Sequence, residues 1–308
     1  MRVLAVVVRY NTAVEDSETL QGLSAALAAH PDLAEGYHLL IWDNSPEPLP
    51  NPELPIPYTA RHAERNLGVS GAYNHAMQYA LQGGNPWMLL LDQDTTITAE
   101  FLRSMLHYGR KLESREDIAA VAPTVRTRGV VISPLKQLFN RNRPYPAGLS
   151  GVAPGEATAA NSGCLMRVSA LAAIGGFNTD FWLDYSDMYV FHQFFLRGKK
   201  VWLAADTELE HELSIMDYDR LMSPWRYRNF SYAETAFYDL YKGRLENIVQ
   251  SARVFARAIK QRRKYKNPEF SRIAWEQFLY RLRVPRKQRV SRWRTEGKRR
   301  LGLSGAQI

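Results

Sequence analysis

Apolar runs alternate with segments of helical periodicity along the first two thirds of the chain. Short apolar runs bounded by polar residues predict buried strands, and the β-branched run at Val3–Val8 indicates burial on both faces of a sheet. Apolar positions spaced by three and four residues predict helices. The predicted strands are Val3–Val8, His38–Trp42 and Trp87–Leu91, and the predicted helices are Thr19–Ala29, Val69–Leu81, Met188–Arg197 and one from the N-cap Thr98 to about Leu112. This alternation predicts an α/β fold with a mostly parallel central sheet flanked by helices.

Three other stretches break this pattern. Pro46–Pro57 is a Pro-rich connector, and Arg126–Gly155 is rich in Pro, Gly and Arg, which predicts a long mobile loop. From about Tyr232 the pattern becomes helical and basic. We therefore expect an α/β domain over residues 1–242 and a basic α-helical C-terminal region over residues 243–308.

Charge is distributed unevenly between these two parts. Residues 243–308 hold 19 Lys and Arg against 4 acids, a net charge of +15, whereas residues 1–242 hold 21 bases and 27 acids, a net charge of −6. Such asymmetry indicates an anionic partner: membrane lipid, nucleic acid or a polyphosphate-bearing substrate. Because the bases are interleaved with apolar and aromatic residues, the pattern favours docking on an anionic membrane surface, with a solvated helical surface as the plainer alternative.

Cysteine content and hydropathy indicate the compartment. Cys164 is the single cysteine, which excludes an intrachain disulfide and favours a reducing, cytosolic setting. No secretory signal is visible, and no run of about 18 apolar residues predicts a transmembrane helix. We expect a cytoplasmic protein that is peripheral at the inner face of the cell membrane.

Carboxylates follow two of the predicted strands. Asp43-Asn44 ends one strand and Asp92-Gln93-Asp94 ends another. In open α/β sheets, ligands bind beyond the carboxyl ends of the strands. Carboxylates there are costly to bury without a partner, and a hard divalent cation carrying a nucleotide diphosphate is a natural one. The pattern predicts a site for Mg²⁺ or Mn²⁺, although polar capping of the next helix also explains Asp94.

Three further segments carry candidate chemistry. Gly68 and Gly71 let the backbone approach a ligand at the start of a helix, although an ordinary loop-to-helix start has the same pattern. Asp187 lies among aromatic residues that suit sugar stacking and is a candidate general base, although Asp184 or Ser186 as a helix cap and an acid in the first turn explain the same segment. His211 is a candidate ligand only if the same cleft already holds a metal.

Taken together, these motifs resemble family 2 glycosyltransferases, most closely the bacterial rhamnosyltransferase branch, over roughly residues 1–245. The motifs that carry the resemblance are Val6–Asn11, Asp43-Asn44-Ser45, Asn66–Asn74, Leu91–Thr95, Asn161–Met166, Gly175–Asn178, Asp184–Asp187 and His211. Three positions depart from the usual pattern: Arg9 replaces a small residue, Ser186 replaces the Glu of a Glu-Asp pair, and Tyr189 stands where an acid is common.

The resemblance implies a GT-A fold and inverting transfer of a sugar from a nucleotide diphosphate donor. It assigns Asp187 as the catalytic base, with Asp94 and His211 as the metal ligands. The nucleotide-sugar pocket is assigned to Tyr10, Asn11, Asp43, Asn66, Gly68, Gly71, Asn74, Asp92 and Gln93. The acceptor side is assigned to Asn161, Gly163, Cys164, Trp182 and Asp184.

The implied partners are a donor, dTDP-rhamnose or a UDP-sugar, and a glycan or lipid-linked acceptor in surface polysaccharide synthesis. A nucleic-acid-binding protein that uses the basic region is the alternative, but it leaves the sugar-transfer motifs unexplained, so no nucleic acid is expected. A nucleotidyltransferase is disfavoured because no basic, glycine-rich loop follows Asn11.

Overall fold

The computed structural model describes residues 1–51, 53–210, 218 and 222–300. The chain forms two compact units. The sheet unit comprises Met1–Gln137, Asn142–Asn178 and Ser186–Glu212. The helical unit comprises Leu138–Arg141, Thr179–Tyr185 and Leu213–Ile308.

The central sheet has the strand order β3-β2-β1-β4-β11-β5-β12-β9, with β6 paired to β5. The pairs β1–β2, β1–β4, β2–β3 and β5–β12 are parallel, whereas β11 is antiparallel to both β4 and β5. The predicted mostly parallel sheet is therefore confirmed. Its strands are β1 Val3–Arg9, β2 Tyr37–Asp43, β3 Tyr58–His62, β4 Trp87–Asp92, β5 Ile118–Thr127, β6 Val130–Ser133, β9 Gly151–Val152, β11 Leu165–Arg167 and β12 Lys200–Glu210. A smaller sheet holds β7 Leu135–Leu138, β8 Arg141–Pro144 and β10 Ala157–Thr158.

Helices flank the central sheet. Those of the sheet unit are α1 Glu18–Ala29, α2 Pro31–Ala34, α3 Gly68–Gln82, α4 Ala99–Lys111, α5 Val168–Ala173 and α6 Ser186–Leu196. The predicted N-cap is confirmed, since the Thr98 side chain accepts a hydrogen bond from Phe101 N. Residues of β1 alternate between two cores: Leu4, Val6 and Val8 in one, and Val3, Ala5 and Val7 in the other. Both faces of β1 are thus buried, as its β-branched run predicts.

The predicted long loop at Arg126–Gly155 is wrong over most of its length, because this segment forms short strands. Arg128 and Gly129 adopt positive φ angles of 49° and 77°, which closes a tight turn between β5 and β6. The next three residues, Val130, Val131 and Ile132, are β-branched and form most of β6, antiparallel to β5. Glycine and arginine here mark a hairpin turn within the sheet.

The helical unit contains α7 Pro224–Tyr241, α8 Arg244–Lys264, α9 Glu269–Arg283 and α10 Arg286–Arg300. Ion pairs with two buried carboxylates join α7 to the basic helices: Arg257 to Glu234 at 2.7 Å and Arg289 to Asp239 at 2.6 Å. The compact helical unit therefore includes α7, which lies before the boundary predicted at residue 242. Among the described residues, no helix is long and apolar enough to cross a membrane.

Arg167 is buried at the start of α5 and stabilises the sheet unit through its guanidinium group. It donates hydrogen bonds to the carbonyl oxygens of Leu112, Glu113, Arg115 and Ile118 at 2.7–3.2 Å. Its guanidinium carbon also lies 4.2 Å from the centre of a Trp87 ring. One side chain therefore satisfies carbonyls of the C-cap of α4, of the connection that follows it and of the first residue of β5.

We expect Arg167→Met to lower the free energy of unfolding of the sheet unit by about 3 kcal/mol, because it leaves buried carbonyls without donors. Chemical denaturation followed by circular dichroism measures this loss. Arg103→Met, at an exposed position on α4, is the matched control and should change stability by less than about 0.5 kcal/mol. Equal denaturation midpoints for the two variants would contradict the assigned role.

Candidate functional site

Three neighbouring strands bring the predicted site residues to one edge of the sheet. β1 lies between β2 and β4, with Arg9 opposite Asp43 and Val8 opposite Asp92. Because all three strands are parallel, their carboxyl ends meet at this edge. The acidic ends of β2 and β4 are therefore separated by one strand, β1, at the same edge.

Hydrogen bonds from distant residues hold the backbone of the Asp92–Thr95 turn. The Thr19 hydroxyl lies 2.5 Å from the Asp92 carbonyl oxygen and 2.9 Å from that of Thr95, and it accepts from Thr95 N at 2.9 Å. The Ser17 hydroxyl donates to the Gln93 carbonyl at 2.8 Å. These contacts fix the turn against the start of α1.

Ser162 holds the same turn from the opposite side. Its hydroxyl accepts from Asp92 N at 2.9 Å and lies 2.7 Å from the Thr95 hydroxyl. Ser162 belongs to the predicted Asn161–Cys164 segment, so the two motifs are in direct contact. The turn is thereby preorganised on both sides.

Tyr73 lies close enough to both carboxylates of the turn to be affected by their charges. Its buried hydroxyl donates to Asp92 Oδ1 at 3.2 Å. Burial first, then the charge of Asp92 and its hydrogen bond, and then the charge of Asp94 raise the pKa of Tyr73 well above its usual range. Asp92 is half-buried beneath this hydroxyl, whereas Asp94 is exposed to solvent.

The two carboxylates suit a hard divalent cation in their chemistry. Mg²⁺ is usually held in proteins by one or two carboxylates together with water and substrate phosphates. Over residues 1–51, 53–210, 218 and 222–300, no group of three or more His, Cys, Asp and Glu could enclose a metal ion. His211, the other predicted ligand, lies outside the described residues. One or two carboxylates with diphosphate oxygens would be compatible with Mg²⁺ or Mn²⁺ in their chemistry, and a metal at Asp94 stays a prediction.

Asp43 is buried, and its carboxylate is engaged by the protein. Oδ1 accepts from Ser45 N at 2.9 Å, and Oδ2 accepts from Leu49 N at 2.8 Å. Arg9 lies 3.5 Å from Oδ2 and donates to the carbonyls of Leu49 and Pro50 at 3.0 Å each. Although burial raises the pKa of Asp43, these hydrogen bonds and Arg9 lower it overall. Asp43 and Arg9 thus shape the loop after β2, and contact of Asp43 with a nucleotide stays a prediction.

The loop after β1 is tied to both neighbouring strand ends. Tyr10 N donates to the Gln93 side chain at 2.8 Å, and Asn11 N donates to the Ser45 hydroxyl at 2.9 Å. Asn11 adopts a positive φ of 50°, which turns the chain sharply here. Tyr10, Asn11 and Gln93, all predicted to contact the donor, therefore lie together.

The Asn66–Asn74 motif begins α3 beside the end of β2. Asn44 accepts from Leu67 N at 3.3 Å and donates to the Gly68 carbonyl at 3.1 Å, and Asn66 accepts from Gly68 N at 2.8 Å. Gly68 has a φ of +67°, and a Cβ on Gly71 would lie 2.6 Å from Leu67 Cβ. Local geometry accounts for both glycines, and their contact with a ligand stays a prediction.

Asn74 uses its side-chain amide to hold a distant turn. Its Nδ2 donates to the Phe177 carbonyl at 2.8 Å, and its Oδ1 accepts from Phe177 N at 2.7 Å. A Cβ on Gly176 would lie 2.3 Å from that Oδ1. Asn74 therefore joins α3 to the Gly-Gly-Phe turn through two hydrogen bonds, and a role in lining the donor pocket stays a prediction.

The predicted acceptor floor lies next to the candidate base in the sheet unit. Asn161 donates to the Ser186 hydroxyl at 2.9 Å, directly before Asp187 at the start of α6. Cys164 is buried, and burial followed by the charge of Asp187 raises the pKa of its thiol. Gly163 has a φ of +84°, and a Cβ there would lie 2.2 Å from Leu209 Cδ1, so its role in the fold is close packing.

The other two predicted acceptor residues belong to the helical unit. Asp184 forms an ion pair with Arg226 of α7 at 3.0 Å. Trp182 packs edge-on against Trp225, with ring centres 6.3 Å apart. Their contact with an acceptor stays a prediction.

Three residues that support the site were not predicted from the sequence: Thr19, Ser162 and Tyr73. Their contacts with the Asp92–Thr95 turn span 73, 70 and 19 residues of sequence. Ser162 and Tyr73 stand inside motifs that the sequence analysis recognised, which was the available signal. Thr19 follows the N-cap Ser17 of an ordinary helix start, and nothing local marks it.

The part of the chain that contains this site is similar to a known protein family. Residues 39–175 match the model described as Glycosyl transferase family 2, a span that contains Asp43, the α3 motif, the Asp92–Asp94 turn and Ser162. Over this span, the chain is similar to family 2 glycosyltransferases. No curated protein matches the chain.

Solved structures confirm the predicted fold. Staphylococcus aureus TarS aligns with 99% of this chain at 13% identity and a TM-score of 0.52, and the chain spans 53% of TarS. TarS 1-349 in complex with UDP-GlcNAc aligns with 98% of this chain at 15% identity and a TM-score of 0.52, and the chain spans 92% of it. These identities show a shared fold alone, which is the predicted GT-A fold.

We expect Thr19→Val to reduce kcat/KM for the donor by about 10- to 100-fold, because the Asp92–Thr95 turn loses its hydroxyl contacts and shifts the carboxylates. Release of nucleoside diphosphate measures the effect. Thr96→Val is the control, since it makes the same change at an exposed neighbouring position and should stay within about threefold of wild type. Similar rates for both variants would show that Thr19 does not position the turn.

Proposed function

We propose that the protein is an inverting, metal-dependent glycosyltransferase that moves a sugar from a nucleotide diphosphate to an acceptor hydroxyl. The observation that carries this proposal is the position of Asp92 and Asp94. They end β4, one strand away from Asp43, in a turn fixed from both sides by Thr19 and Ser162. This arrangement suits a diphosphate and its counter-ion better than it suits helix capping.

The first donor to test is dTDP-rhamnose, because the Asp-Gln-Asp strand end resembles the rhamnosyltransferase branch. UDP-sugars are the alternative donors, and the UDP-GlcNAc complex of the TarS fragment supports including UDP-GlcNAc. The expected acceptor is a hydroxyl of a glycan or lipid-linked saccharide in surface polysaccharide synthesis.

In the proposed mechanism, the chain orients the donor and moves one proton. When bound at Asp94, Mg²⁺ or Mn²⁺ offsets the negative charge that builds on the leaving nucleotide diphosphate. Tyr73 and the backbone of the turn hold Asp92 beside the sugar or ribose. Asp187 accepts the acceptor's proton as the oxygen attacks the anomeric carbon from the face opposite the diphosphate, so the anomeric configuration inverts.

The start of α6 suits Asp187 to this role. Its Oδ1 accepts a hydrogen bond from Met188 N at 2.7 Å, and the positive end of the helix dipole stabilises the ionised form. Asn161, bonded to Ser186, lies beside it and is proposed to shape the floor beneath the donor sugar. A general base must accept the proton of the acceptor hydroxyl, which a carboxylate does in its ionised form.

We expect Asp94→Asn to lower metal-dependent kcat/KM by about 100- to 1,000-fold, because the amide weakens cation binding next to the diphosphate. A donor screen with Mg²⁺ or Mn²⁺ that scores release of UDP or dTDP measures this. Asp32→Asn, at an exposed position on α2, is the charge-matched control. Full metal-dependent turnover by Asp94→Asn would refute the metal assignment.

A separate prediction concerns the base. Asp187→Asn should keep donor binding within about threefold of wild type and lose about 10²- to 10⁴-fold in transfer rate, because the amide cannot accept the acceptor's proton. Calorimetric titration with the nucleoside diphosphate and single-turnover transfer measure the two parts independently. Normal turnover in this variant would place the base at another residue.

A further inference from the structure

Helices α8 and α9 of the helical unit expose apolar side chains along one shared surface. We name it the apolar face, and it comprises Leu245, Ile248, Phe255, Ile259, Trp275 and Leu282. Each is between 37% and 67% exposed. The Phe255 ring lies 5.6 Å from that of Trp275, measured between centres, so the two helices contribute to a continuous surface.

The helical unit does not need this surface for its own core. Buried residues of the same two helices, Val254 and Ala258 on α8 and Phe270, Ile273 and Ala274 on α9, lie on other sides of the helices. On α8, successive residues of the apolar face are three, seven and four positions apart. This spacing places them along one stripe of the helix. Contiguous exposed apolar surface rimmed by polar residues indicates an interaction site.

Basic side chains border the apolar face. Arg262 and Arg263, in the last turn of α8, are exposed and line a shallow groove with Ile259 and Trp275. Where the structure describes the chain, no acid pairs with either arginine. Lys260 and Lys264 are exposed on the same helix. A matching partner must offer both apolar depth and negative charge.

We propose that the apolar face docks the protein on an anionic lipid bilayer. The aromatic and aliphatic side chains enter the boundary between headgroups and acyl chains, and the arginines and lysines contact lipid phosphates. A second copy of the chain fits less well, because face-to-face packing would oppose arginine to arginine. A nucleic acid leaves Leu245, Ile248 and Leu282 without a partner. This proposal does not depend on the enzymatic one.

Point variants of the full chain are the appropriate test. A truncation after Lys242 would leave the buried carboxylates of Glu234 and Asp239 without Arg257 and Arg289. Flotation with phosphatidylcholine vesicles that contain phosphatidylglycerol measures binding directly. Arg262→Gln/Arg263→Gln should lower the partition coefficient by about 30-fold. Ile259→Ser/Trp275→Ser should lower it by more than about 10-fold.

The control is Arg103→Gln/Arg110→Gln, which removes the same charge from exposed positions on α4 of the sheet unit and should stay within about threefold of wild type. Wild type should bind pure phosphatidylcholine far less than the anionic vesicles, and added salt should weaken its binding. Three results would overturn the proposal: no binding of wild type to anionic vesicles, equal binding to neutral ones, or losses in the control as large as those in the face variants.

One further outcome would assign the apolar face to a second copy instead. Size-exclusion chromatography with light scattering on the same proteins would then show self-association of wild type that Ile259→Ser/Trp275→Ser removes, while vesicle binding stays intact. Circular dichroism confirms that each variant is folded, which is expected because every altered position is exposed.

Discussion

Parallel pairing of β1 with β2 and β4 is the constraint on which the rest of the candidate site depends. Side chains along a strand alternate between the two faces of a sheet, so a slip of one residue would move Asp43 or Asp92 to the opposite face. The two apolar cores prevent that slip, because Val6 and Val7 must each face a different core. The hydrophobic interior thereby determines which face of the sheet the carboxylates of Asp43 and Asp92 occupy.

Hydrogen bonds from Thr19, Ser162 and Tyr73 hold the Asp92–Thr95 turn before any ligand arrives. A site held in this way needs little reorganisation when a cation and diphosphate bind, and preorganised groups are the main source of electrostatic stabilisation in enzymes. The support is built almost entirely from hydroxyl groups, which add no charge.

The sequence predicted the parts of this structure that local pattern determines. β1, β2 and β4 were predictable because burial on both faces leaves an apolar run, which ends in an acid in β2 and β4. The antiparallel strand β11, which lies between β4 and β5, was not predictable, because three residues carry no periodicity. Arg9 and Arg167 also escaped prediction, since charge normally marks a surface and only the tertiary structure supplies their buried carbonyl partners. The family 2 motifs identified residues that are predicted to face a ligand. They did not identify Thr19, whose hydroxyl supports the site through contacts with the backbone of the turn.

Several arginines of the helical unit bind other residues of the same unit, so not all of its positive charge is available at the surface. Arg257 and Arg289 are neutralised by Glu234 and Asp239 of α7, and Arg281 donates to Ser251 and to the carbonyl of Asn247. The formal charge of residues 243–308 therefore includes cations that join helices to each other and are not available to bind an external partner. Only exposed cations can displace the counter-ions that are condensed on a polyanion. The slope of binding affinity against ionic strength, for any polyanion that the protein binds, therefore reflects the exposed bases alone. Part of the positive charge of residues 243–308 therefore stabilises the packing of the helices against each other.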